Sequence, residues 1–144
     1  LNMFFNNYME SMIQPMRDEL TQHGFKELLT PEEVTEAFEG LEGTSLVVVN
    51  SVCGCAAGLA RPGAVASLQH DKKPDHILTV FAGQEKEATA KAREYFEGYP
   101  PSSPSFALMK DGKIMGMVER HEIEDNDIHT IVNKLTTLYD QHCE

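Results

Sequence analysis

Apolar residues recur along the chain with two periods, and the periods divide it into helices and strands. Tyr8, Met9, Met12, Ile13, Met16 and Leu20 follow at three- and four-residue steps, one face of a helix. Pro15 inside that stretch predicts a kink, and Gly24 a stop. Thr30-Pro31-Glu32-Glu33 opens a second helix: Thr30 caps it, Pro31 takes the first helical position and Glu33 completes a capping box. Val34, Ala37, Phe38 and Leu41 are its apolar residues. Residues 46–50 are a short apolar run rich in β-branched side chains, a strand buried on both faces. Residues 56–69 predict a small-residue helix with Pro62 and Gly63 inside it. A turn at Pro74-Asp75 leads to a second buried strand over 77–82. Residues 85–97 predict a helix with Ala88, Ala92, Tyr95 and Phe96 on one face, and Glu87 paired with Lys91. After a Pro-rich loop over 99–104, the runs 106–109 and 113–118 flank Asp111-Gly112, a hairpin signal. Ile128, Ile131, Val132, Leu135, Leu138 and Tyr139 form the stripe of a last helix over 125–141.

The order is therefore α-α-β-α-β-α-β-β-α, with no repeat and no linker, so residues 1–144 read as a single domain. Strand–helix–strand implies a right-handed parallel crossover, and the hairpin adds antiparallel strands. The expected class is α/β: a mixed four-stranded sheet flanked by helices, with an extra N-terminal helical segment.

Charge narrows the partners. Lys plus Arg is 12 against 23 Asp plus Glu, a net charge of −11, which repels a phosphate backbone and argues against nucleic acid. No apolar run approaches a membrane span, and residues 1–14 lack the basic start of a signal peptide, so a cytoplasmic, reducing home is expected. The three cysteines, Cys53, Cys55 and Cys143, are too few for a disulfide scaffold.

Cys53-Gly54-Cys55 falls between a buried strand and the start of a helix. Free backbone N–H groups and the positive end of the helix stabilise a thiolate there, and the thiolate is the nucleophile. Cys53, nearer the strand exit, is expected to be the more exposed, attacking thiol; Cys55, one step further in, the shielded, resolving one. Gly54 is expected to permit the unusual backbone that two near-adjacent cysteines need if they are to bridge. Two alternatives stay open: a metal site, for which His121 and Cys143 would have to join the pair, and inert buried thiols. No metal site is the expectation. Ser102-Ser103-Pro104 directly precedes a strand that begins beside the cysteine end of the sheet. A cis Ser103–Pro104 bond is expected there, in contact with Cys53, turning a backbone edge toward the thiols. Arg120 and His121 emerge at the same end and are candidates to supply positive charge; a plain solvated cluster is the alternative. Arg61, after the motif, is a surface or an anion-binding residue. Cys143 is expected to be an unimportant thiol on a frayed terminus.

Strand, cysteine pair, helix with interior proline, strand, helix, Ser-Pro, hairpin and helix make up the thioredoxin-like plan. More narrowly, the run from Asn50 through Cys53-Gly54-Cys55 to Arg61-Pro62 resembles the hallmark of the bacilliredoxins. So do Val80-Phe81-Ala82-Gly83-Gln84 with Lys86-Glu87-Ala88-Thr89, Pro101-Ser102-Ser103-Pro104-Ser105, and Arg120-His121-Glu122-Ile123-Glu124. The resemblance implies a thiol–disulfide oxidoreductase that removes bacillithiol from S-bacillithiolated proteins, with Cys53 attacking. It implies bacillithiol as thiol co-substrate, no bound cofactor, and an NADPH-dependent flavin disulfide reductase that regenerates the bacillithiol pool. Protein disulfide isomerase activity, or general thioredoxin-like reduction through Cys53 and Cys55, is the alternative within the enzymes. A metal- or partner-binding module is the alternative outside them. Gly63 replaces an alanine usual in the family, which should loosen that helix, and Glu85 stands where Asp is usual. The strand over 46–49 lacks the acidic residue that handles protons in thioredoxins.

Overall fold

β-branched side chains suit a pleated surface packed on both sides, and the strand Thr44–Asn50 (β2) is buried at every position. The structure, a computed structural model, describes residues 3–144. The other strands are Lys26–Glu27 (β1), His76–Phe81 (β3), Ser105–Lys110 (β4) and Lys113–Val118 (β5). Their spatial order is β1-β3-β2-β4-β5, with β3 parallel to β1 and β2, and β4 antiparallel to β2 and β5. The sheet is thus mixed, as expected, but has five strands rather than four. The added strand β1 has only two residues, too few to show any alternation, and backbone pairing with Leu78 and Thr79 makes it.

Side chains alternate across a strand, so the sheet feeds two cores. Leu46, Val48, Phe106 and Leu108 face one side and pack with Leu20, Ala60, Ala64, Ile131, Leu135 and Tyr139. Val47, Val49, Ala107 and Met109 face the other and pack with Val34, Phe38, Ala88 and Ala92. Helices Met3–Thr21 (α1), Arg61–Ser67 (α3) and Ile128–His142 (α6) cover the first face; Pro31–Gly40 (α2) and Lys86–Glu94 (α4) cover the second. A one-turn helix, Arg120–Ile123 (α5), follows β5.

Local expectations meet the structure in detail. Thr30 Oγ1 accepts the Glu33 N–H at 3.1 Å, but the Glu33 carboxylate takes the N–H of Leu29 rather than that of its cap. Asp111 and Gly112 have φ of 50° and 82°, the left-handed pair of a tight hairpin turn. Lys91 pairs with Glu94 instead of Glu87. Gly63 is filled by a neighbour: a Cβ there would come within 2.9 Å of the Ile131 side chain, so its absence lets α3 and α6 approach. Cys143 is not frayed. It is 5% exposed in the core cluster, it caps α6 through its N–H to Tyr139 O, and burial pushes its thiol up despite help from Thr44.

The course of α1 matters later. Asn50, the last residue of β2, donates from Nδ2 to Met16 O at 3.3 Å, and Gly24 beyond the helix lies against Ile77 at the start of β3. The helix therefore descends along the sheet from the end where β2 and β3 finish. Arg17 anchors it there, bridging Glu85 with both guanidinium arms (2.7 and 2.8 Å) and Glu27 (2.8 Å) while stacking over Phe81. Residues before Met16 run past the sheet.

Candidate active site

The segment leaving β2 is held by polar contacts before it reaches the cysteines. Asn50 Oδ1 accepts the Ser51 N–H at 2.9 Å and Arg61 Nη1 at 2.9 Å. The same Nη1 donates to Ser51 O at 2.8 Å. Arg61 is 1% exposed, so it is neither a surface residue nor an open anion site. Its Nε lies 3.3 Å from the Glu19 carboxylate without forming an aligned hydrogen bond. Arg61 is thus a buried brace under the loop that carries the thiols. Ser51 Oγ in turn accepts the Cys53 N–H at 3.2 Å.

Cys53 sits at the start of the helical stretch 54–67, and its carbonyl accepts from Ala56 and Ala57. The stretch opens as a wide π-turn, Ala56–Ala60, and becomes regular at Arg61. Pro62 has no N–H to give an i−4 carbonyl, so the change of winding falls where the proline stands. A kink expected from Pro62 is realised as this change.

The two Sγ atoms are 2.6 Å apart, and both cysteines are half-buried. Exposure thus does not set Cys55 apart as the shielded thiol that position suggests. Hydrogen bonds, not exposure, separate them. Burial pushes the Cys53 thiol up, but the Cys55 thiol, the Ser51 hydroxyl and the backbone N–H groups of Ala56 and Cys55 outweigh it and hold Cys53 below the ordinary thiol value. Burial and the neighbouring Cys53 sulfur push Cys55 up, against the opposing charge of Arg120. With both cysteines free, Gly54 needs no special backbone: its φ is not left-handed, and a Cβ would meet nothing within 4 Å.

The Ser103–Pro104 bond is cis. Ser105 pairs with Val49, which sets Pro104 at the end of the sheet where β2 delivers the cysteines. Arg120 ties this loop to the thiols. Its Nη1 donates to Ser103 O at 3.0 Å, its N–H reaches Ser102 Oγ at 3.5 Å, its Nε meets Glu124 at 3.0 Å, and its charge acts on both cysteines. His121 is different: it is exposed and grouped with Glu119 and Glu122. Cys143, near Thr44 and Asp75, lies at the opposite end of β2, so His121 and Cys143 do not join the pair in a ligand set. Ser51, Asn50 and Ser102 were given no role from sequence. The readable signal for the first two is a polar pair ending an otherwise apolar strand.

Alkylation against pH tests this electrostatic order. Thiolate is the reacting form, so the rate at Cys53 should rise with pH through a midpoint below the free-thiol value of about 8.5. Cys55 should react later. Arg120→Gln should move both midpoints upward, and added salt should shrink the difference. Cys55 reacting first, or midpoints unmoved in Arg120→Gln, would contradict the assignment.

Comparison with known proteins bears on the family and the fold. Residues 8–143 match the disulphide isomerase family. A bacilliredoxin of Halalkalibacterium halodurans is 58% identical over 144 residues, covering 100% of both chains. One from Bacillus cereus is 59% identical over 140 residues, 97% of this chain and 96% of its own. One from Staphylococcus aureus is 52% identical over 144 residues, 100% of this chain and 99% of its own. Among solved structures, a putative oxidoreductase with a thioredoxin fold superposes with a TM-score of 0.61 at 13% identity, over 78% of this chain and 94% of that one. Fasciola hepatica thioredoxin superposes with a TM-score of 0.59 at 18% identity, over 82% and 99%. The fold is thioredoxin-like.

Proposed function

The chain belongs to the bacilliredoxin family and is a thiol–disulfide oxidoreductase, and from this we propose that it removes bacillithiol from S-bacillithiolated proteins through Cys53. The observation that carries the reading is the Cys53 sulfur at a helix start, with the Ala56 and Cys55 N–H groups and the Ser51 hydroxyl favouring its thiolate. The Cys53 thiolate attacks the bacillithiol sulfur of the mixed disulfide. One S–S bond forms between Cys53 and bacillithiol, the original one breaks, and the client leaves as a thiolate that takes a proton from water. A second bacillithiol thiolate then attacks the adduct, freeing Cys53 and leaving bacillithiol disulfide. An NADPH-dependent flavin disulfide reductase returns that disulfide to thiol, so the exchange needs no cofactor bound to this chain. The site works in the cytoplasm, where bacillithiol is kept reduced. No helix among the described residues is long and apolar enough to cross a membrane.

Arg61 and Gly54 do not meet substrate in this scheme. Arg61 holds the loop from below, Arg120 lends charge, and Ser103 and Pro104 stand at the same end of the sheet as the thiols. A second reading, disulfide isomerisation or reduction of protein disulfides, is favoured by the contact between the two Sγ atoms. There Cys55 attacks a client trapped on Cys53, closing a Cys53–Cys55 disulfide and releasing the reduced client. Release of bacillithiol from a labelled client, with bacillithiol as reductant, tests the first reading. Catalysed release supports it; release no faster than with bacillithiol alone contradicts it.

A further inference from the structure

The apolar stripe that seats α1 does not end where the body of the protein ends. Ile13 and Leu20 are buried on it. Toward the N-terminus, the three- and four-residue spacing continues through Met12, Met9, Tyr8 and Phe4. These side chains are 48%, 39%, 58% and 83% exposed, and Met3 is 76% exposed. The helix passes Asn50 at Met16, so at 1.5 Å per residue the preceding turns project about 20 Å beyond the sheet. They do so at the end where β2 delivers Cys53 and its exposed neighbour in sequence, Val52. An apolar ledge thus stands at the end of the sheet that carries the thiols.

We propose that this ledge, the Phe4, Tyr8, Met9 and Met12 face of α1, docks an unfolded apolar segment of the client polypeptide whose disulfide Cys53 attacks. The inference rests on the functional reading above and names the partner's chemistry. Area decides against a second copy of this chain as the occupant. Scaled by those exposures, four side chains of ~150–250 Å² each offer roughly 350–570 Å², below the ~800 Å² per partner of a stable interface. A net charge of −11 on each copy also opposes pairing. A contact of that size suits a transient encounter. Unbranched, adaptable methionines at two of the four positions suit many client sequences rather than one.

The test separates docking from chemistry. The triple variant Phe4→Gln, Tyr8→Gln, Met12→Gln removes apolar surface without adding charge and keeps helix-forming residues. Binding is read from the fluorescence anisotropy of labelled, carboxymethylated ribonuclease A, which is unfolded and has no thiol to exchange. The variant should bind it at least about tenfold more weakly, the loss expected when several apolar anchors are removed. A second variant, Phe4→Leu, Tyr8→Phe, Met12→Leu, should bind like the parent. In turnover, release of bacillithiol from unfolded, bacillithiolated ribonuclease A should fall in kcat/KM by a similar factor. Release from the bacillithiol–cysteine mixed disulfide should stay within about twofold, since that substrate has no segment to dock. Unchanged anisotropy binding in the Gln variant overturns the proposal. So does equal loss on both disulfides, or a parent that sediments as a dimer and a Gln variant that sediments as a monomer. Failure of the parent to release bacillithiol from either substrate would overturn the functional reading instead, and the anisotropy result would still decide the ledge.

Discussion

Cys53→Ala is expected to lose release of bacillithiol from a client by at least about a hundredfold, down to the exchange rate of bacillithiol alone. Cys55→Ala is expected to keep that release within a few-fold when bacillithiol is present, because a second bacillithiol resolves the adduct and no second protein thiol is required. The difference follows from the site. The Cys53 sulfur takes the Ser51 hydroxyl and the Ala56 N–H, which the Cys55 sulfur does not, whereas Cys55 is pushed up by burial and by its neighbour. Isomerase activity, which depends on intramolecular escape through Cys55, should fall in both variants. Cys143→Ala should leave the chemistry alone, since its thiol is buried at the far end of β2, and act on stability only. The assay is release from a labelled client by each variant. A Cys55→Ala protein as inactive as Cys53→Ala under excess bacillithiol would replace the monothiol scheme with the dithiol one.

The second large effect is expected at Arg61, and it is structural first. Arg61→Leu should destabilise the protein by about 2–4 kcal/mol, the range for removing a buried hydrogen-bonded cation and leaving its acceptors unpaired. The acceptors are Asn50 Oδ1 and Ser51 O, both directly below the cysteine loop, and the guanidinium is 1% exposed. Urea unfolding measures the change as a lower midpoint. The surviving folded protein should also alkylate more slowly at Cys53, because Ser51, which Arg61 holds, is among the groups that favour the thiolate. A loss below about 1 kcal/mol, the scale of a surface ion pair, would show that Arg61 is not a brace.

Periodicity carried the fold where elements were long. The buried runs at β2 and β3 and the stripes of α1 and α6 were readable, because one face of each has to be covered. The two-residue β1 and the four-residue α5 were not, since neither is long enough to show a period; backbone pairing and the Glu119–Glu122 capping box define them. Its place near the chain end suggests a frayed Cys143, but the residue continues the four-residue step of Ile131, Leu135 and Tyr139 into the core. Of the site, residue type and position picked out Cys53, Cys55, the Ser103–Pro104 loop and Arg120. They could not show that Gly54 stands in open space or that Arg61 points inward, because both depend on what lies across the fold. The same holds for the Arg17 bridge to Glu85, whose partners are 68 residues apart. Glu85 reads in sequence only as a departure from the usual Asp, yet its carboxylate holds α1 against the body of the protein.

Peptide mapping by mass spectrometry, on protein quenched in acid during exchange with a bacillithiolated client, tests the central claim most directly. The account predicts one bacillithiol on Cys53, located by fragmentation between residues 53 and 55, and more of it in Cys55→Ala than in the parent. Bacillithiol on Cys55, or the client polypeptide rather than bacillithiol on Cys53, would contradict it.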